Sequence, residues 1–97
     1  SMYVELEDIK RHLNVDFDED DNLIASMIGA AEASVENSIG APLADIAIDG
    51  ELPVDLKHVI RIMTANFYEY REGMTYGKIQ TVPFTLSHLL APYIVLT

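Results

Sequence analysis

The sequence predicts an all-α bundle: two long antiparallel helices at about 19–39 and 53–72, with short helices at about 5–13 and 84–90. Three observations predict it. Apolar residues recur at spacings of three and four over both long stretches, the period of a one-sided helix. Capping and breaking residues, Asp18, Gly40, Pro42 and Pro53, stand at the ends of those stretches. Period-two alternation, the mark of a half-buried strand, is confined to a few residues around Ile46 and Ile48.

The first helix places Leu6, Ile9 and Leu13 on one face. Glu5, Glu7 and Asp8 lie at its start and Lys10, Arg11 and His12 at its end, the polarity that complements the helix macrodipole. Asn14 to Asp18 breaks the pattern. The second helix is expected from Glu19 to Ile39 with Asp18 as its N-cap. Its stripe is Leu23, Ile24, Met27, Ile28, Ala31, Val35 and Ile39. Ala30, Ala31, Ala33 and Ser34 make it thin, so another helix can approach closely. Gly40 supplies the left-handed C′ position, and Pro42 forbids continuation.

Residues 41–52 read as a connection with a short extended piece before an Asp49–Gly50 turn. Pro53 is expected at the first position of the next helix, with Asp55 in its first turn. Leu56, Val59, Ile60, Met63, Phe67 and Tyr70 form its core stripe, and the helix is expected to reach Glu72. Residues 73–82 read as a loop, long for so small a chain, and long loops are often functional. Pro83 precedes a last short helix carrying Leu86, Leu89 and Leu90, ended by Ala91–Pro92 and followed by the apolar residues 93–97.

Ninety-seven residues fit a single domain spanning 1–97, in which Ser1 ahead of Met2 reads as the remnant of a cleaved tag. Cysteine is absent, which excludes disulfides, thiolate metal sites and thiol nucleophiles together. No apolar run is long enough for a bilayer. The chain carries 16 acids against 6 bases, a net charge of −10. Residues 1–55 hold fourteen of the acids and two bases, and residues 56–97 hold two acids and four bases (Lys57, Arg61, Arg71, Lys78). A chain so short of Lys and Arg is poorly suited to gripping a phosphate backbone. The uneven charge does allow the acidic part of one copy to face the basic part of another.

Tests for reactive chemistry fail. Asp16, Asp18 and Asp20 imitate the first ligands of a calcium loop, but Asp21 stands where glycine belongs and Met27 where the bidentate glutamate belongs. Gly77–Lys78 lacks both the leading glycine and the following hydroxyl of a phosphate loop. His12, His58 and His88 lie on separate elements, and no serine sits in a nucleophile elbow. The residues therefore predict no catalytic, cofactor or metal site. What they offer is a contact surface. Tyr68 and Arg71 fall off the core stripe at a helix end, and both types are enriched at binding hot spots. Tyr76 and Lys78 of the loop, with Phe84 and Tyr93 around the last helix, complete the candidate subunit interface.

The ordered set of motifs resembles a known family. It comprises the short first helix and the acidic opening DEDDNLI (18–24). The first long helix closes on Val35-Glu36-Asn37-Ser38-Ile39-Gly40, and Leu52-Pro53-Val54-Asp55-Leu56-Lys57 opens the second. Phe67-Tyr68-Glu69-Tyr70-Arg71-Glu72, Val82-Pro83-Phe84 and Leu89-Leu90-Ala91-Pro92-Tyr93 complete it. From about Val4 to Tyr93 the chain is similar to the small head–tail connector (adaptor) proteins of long-tailed double-stranded DNA bacteriophages, also found in prophages. The resemblance implies an all-helical subunit without catalytic residues or cofactor. It implies head-to-tail assembly into a ring that meets the portal protein on one side and a tail-side connector or stopper protein on the other. DNA would pass through that ring without specific binding. It also implies residence at the virion's head–tail junction after assembly in the bacterial cytoplasm, with no membrane partner. The alternative is an acidic binding module or DNA mimic acting on a basic partner, which rests on the charge alone.

Overall fold

The computed structural model describes residues 3–70 and 84–94. Its elements are α1 (Leu6–Leu13), α2 (Asp21–Ile39), α3 (Leu43–Ile46), α4 (Val54–Glu69) and α5 (Phe84–Ser87), the last continuing as a 3-10 helix over His88–Tyr93. No strand occurs among the described residues, so the all-α expectation holds. The two long helices pack together, and α1 and the 3-10 stretch pack on both. Ile24, Ile28, Ala31 and Val35 of α2 share one core with Leu56, Val59, Ile60 and Met63 of α4. Ile9 of α1 and Leu90 of the 3-10 stretch join them.

Local signals fix most boundaries. Asn14 closes α1 in the left-handed region (φ 59°), a conformation asparagine tolerates better than most residues. Gly40 does the same for α2 at φ 83°, its N–H bonded to the Glu36 carbonyl. Asp49 and Gly50 both have positive φ, 54° and 78°, the signature of a type I′ turn. Ile48 and Glu51 exchange both backbone hydrogen bonds across that turn, at 2.9 and 3.0 Å. The thin part of α2 is buried as expected, and Ser34 sits there fully enclosed because its hydroxyl donates to the Ala30 carbonyl of its own helix (2.8 Å). Thr64 of α4 is satisfied in the same way by Ile60.

Several expectations need correction. Asp18 is not the N-cap of α2: the helix starts at Asp21, after a turn in which the Asp21 N–H donates to the Asp18 carbonyl. The Asp18 carboxylate is engaged by Lys10 instead, an ion pair taking precedence over a cap. The extended piece expected before the Asp49–Gly50 turn is present but shorter, at Ala47 and Ile48, because Leu43–Ile46 ahead of it form a helical turn. Leu43 is buried, and its N–H is held by the Glu36 carboxylate, which starts the short turn α3. Pro53 lies one position before α4 with extended backbone (ψ 148°), its carbonyl accepting the Lys57 N–H. Tyr70 does not belong to the core stripe. It is 72% exposed, because α4 ends at Glu69 and Tyr70 turns out of helical register (φ −116°, ψ 33°). Tyr68 packs against the core in its place. Leu23 is only half-buried. At the C-terminal end, Ala91 and Pro92 do not stop the chain's winding; the tighter 3-10 form carries it through Pro92 to Tyr93.

Candidate functional site

Two tyrosine–aspartate ties join distant parts of the chain. The Tyr68 hydroxyl, near the end of α4, donates to Asp20 Oδ2 at 2.5 Å, pinning the turn that leads into α2. The Tyr93 hydroxyl donates to Asp55 Oδ1 at 2.8 Å, pinning the 3-10 stretch to the first turn of α4. The Asp55 carboxylate and its hydrogen bond push the Tyr93 phenol above its ordinary value, with desolvation adding to the effect.

Beside Tyr68 lies a cationic hub. Lys10 of α1 is buried, its ammonium 2.8 Å from Asp18 Oδ1 and 2.9 Å from Asp21 Oδ1. The first of these is a formed hydrogen bond, while the second is close in distance but off hydrogen-bond geometry. The hydrogen bond to Asp18, then the contact with Asp21, hold the ammonium well above the ordinary lysine range despite partial desolvation. The same hydrogen bond holds the Asp18 carboxyl below the ordinary aspartate range.

The remaining described bases are paired as well. Arg61 Nε lies 3.3 Å from Asp8 Oδ2, and Arg11 reaches the other oxygen of Asp8 at 3.8 Å. Lys57 is paired with Glu51. Every Lys and Arg among the described residues is thus within ion-pair distance of an acid of its own chain. Two acids of α2 hold backbone instead. Glu32 is buried, and its Oε2 accepts the N–H groups of Tyr3 (2.7 Å) and Val4 (3.3 Å). Burial pushes the Glu32 carboxyl above its ordinary value, opposed by those two backbone donors. Glu36, one turn on, accepts the Leu43 N–H at 3.0 Å.

Of the six expected interface residues, Tyr68 and Tyr93 are half-buried with their hydroxyls engaged within the chain. Arg71, Tyr76 and Lys78 lie outside the described residues, as does the side chain of Phe84. Sequence reasoning missed Lys10 and Glu32 as buried ionic groups. The one signal available was their position: Lys10 follows the core residue Ile9, and Glu32 follows the core residue Ala31. Among the described residues no group of three or more His, Asp or Glu is placed to hold a metal, and the three histidines are exposed. No helix among them is long and apolar enough to cross a membrane.

About half of the described acids therefore serve as fasteners within the bundle, and among the described cations Lys10 is buried against them while Arg11 pairs at the surface. Such an arrangement suits a rigid part in an assembly. The family model described as phage gp6-like head-tail connector protein matches residues 3–93, nearly the whole chain. No curated protein and no solved structure matches it. Members of that family are structural parts of the phage particle, placed at the head–tail junction in contact with other virion components. The chain, with its all-helical bundle and its matching motifs from end to end, belongs to the phage gp6-like head–tail connector family.

Proposed function

We propose that the chain is one subunit of a closed ring, built by head-to-tail contacts between copies, that joins the portal to the tail-side connector or stopper protein and carries the DNA channel between them. The observation that carries this reading, beside the family match, is the pairing of all four described cations with acids of the same chain. The described residues hold fifteen acids and four bases, so their outward charge is acidic. A wall of that kind repels phosphate and lets DNA slide past without holding it.

A heterologous contact needs two unlike faces on one subunit. With Lys57 and Arg61 engaged at home, the cations left to meet the acidic side of an adjacent copy are Arg71 and Lys78. Tyr76, Phe84, Tyr68 and Tyr93 supply the aromatic part of the same contact. The DNA-mimic alternative needs carboxylates displayed outward like phosphates; here many of them hold lysine, tyrosine or backbone N–H groups instead.

Light scattering and negative-stain electron microscopy from micromolar to millimolar protein, with and without purified portal, test the reading. Rings are the expected result, with Arg71→Glu weakening closure and no retardation of duplex DNA at physiological salt. A chain that stays monomeric throughout, portal present or not, overturns it.

A further inference from the structure

A cleft of about 190 Å³ opens between the N-terminal approach, α1, the residue after the Asp49–Gly50 turn and the first turn of α4. Its walls include Tyr3, Glu5, Asp8, Arg11, Glu51 and Lys57 and are mostly polar. Small-molecule sites run to roughly 300–1,000 Å³ and are lined chiefly by apolar groups. This cleft is too small and too polar for that class, and has room for one long polar side chain. Most of its charges are already matched. Lys57 is paired with Glu51, and Asp8 is shared by Arg61 and Arg11 at 3.3 and 3.8 Å. Glu5 is the exception. It is exposed at the residue before α1, and its carboxylate makes no cap, hydrogen bond or ion pair among the described residues. Three acids and two bases line the cleft, so its formal charge is −1.

The guest that gains here is a cation. A carboxylate in a recess holds a cation more strongly than one on an open surface, because the walls displace part of the water that screens the pair. Arginine seated in a pocket is a common anchor of protein contacts. We propose that this cleft receives a cationic side chain, Arg71 or Lys78, from a second copy of the chain, and so forms the acidic half of the head-to-tail contact. The inference rests on the ring reading above and names the receiving site. Charge selects the second copy as occupant. With the four described bases engaged at home, Arg71 and Lys78 are the cations that the ring reading assigns to an acidic neighbour. The cleft presents the unmatched carboxylate they require, and a contact of this kind carries a marked salt dependence.

Charge exchange tests it in the full chain, with ring formation followed by light scattering and negative-stain electron microscopy over a concentration series at low and moderate salt. Glu5→Lys is expected to raise the concentration for half-assembly by about tenfold or more, as loss of an anchoring contact does, and Glu5→Gln by less. Both variants keep the wild-type circular dichroism, because the Glu5 side chain is exposed and holds no described group of its own chain. Glu5→Lys joined with Arg71→Glu, or with Lys78→Glu, is expected to restore assembly, and the reversal that restores it identifies the guest. Unchanged assembly in Glu5→Lys overturns the inference and leaves the ring reading standing, as does a loss that neither reversal repairs. Arg11→Glu weakening assembly where Glu5→Lys spares it assigns the cleft to an acidic guest and overturns the inference likewise. A wild-type chain that forms no rings, portal present or not, overturns both.

Discussion

The Tyr68 hydroxyl and the Asp20 carboxylate meet at 2.5 Å although 48 positions separate them in the chain. The contact ties the end of α4 to the start of α2, so the two long helices are fastened by a polar bond as well as by their shared core. Tyr68→Phe removes the bond and keeps the ring. A hydrogen bond to a charged group contributes about 1.5–3 kcal/mol, and the urea unfolding free energy is expected to fall within that range. Asp20→Asn, which keeps an acceptor, is expected to cost less.

Glu32 holds the chain's N-terminal approach through the Tyr3 and Val4 amides. Glu32→Ala strands two donors and is expected to cost about 1–3 kcal/mol, with faster hydrogen exchange at both amides. Glu32→Gln keeps the acceptor and gives a pH readout. Because burial raises the folded-state pKa of Glu32, the native state binds its proton more tightly than the unfolded chain does. This group's contribution to stability therefore grows as pH falls from neutral through the folded pKa toward the unfolded value. Urea midpoints at pH 7 and pH 5 are expected to show that gain in the wild type and lose it in Glu32→Gln.

Asp18 responds in the opposite sense to Glu32, and Lys10 in the same sense. Asp18 has a depressed folded-state pKa, so its contribution is present above the ordinary aspartate value and is lost as pH falls through the folded one. Lys10, raised, contributes below the ordinary lysine value and loses that contribution as pH rises through its folded pKa. Lys10→Met is expected to lower the Tm and to return the Asp18 carboxyl upward, read by carbon-detected NMR titration. Lys10→Arg is expected to keep the Asp18 shift.

Ile28 and Met63 are enclosed in the core shared by α2 and α4. Met63→Ala is expected to cost about 2–5 kcal/mol by leaving a cavity. Ile28→Asp and Met63→Asp bury an unpaired charge and are expected to unfold the chain, seen as loss of helical circular dichroism.

The elements that could be read along the chain are those whose causes are local. Gly40 and Pro42 end α2, Asp49–Gly50 makes its turn, and the three-and-four spacing of Leu56, Val59, Ile60 and Met63 marks the buried face of α4. The motifs that placed the chain among phage connectors are equally linear, and the family match covers the same residues. Backbone conformation and side-chain period are properties of neighbouring residues, so the sequence by itself determines them. The acid-based fastenings are different. Asp18 looked like a cap until Lys10 was seen to hold it, and Tyr70 looked like core until α4 ended one residue before it. Glu32, Lys10 and the Tyr68–Asp20 and Tyr93–Asp55 pairs each depend on which groups folding brings within about 3 Å of one another. Only the tertiary structure decided those, because a carboxylate engages whichever donor packing delivers to it.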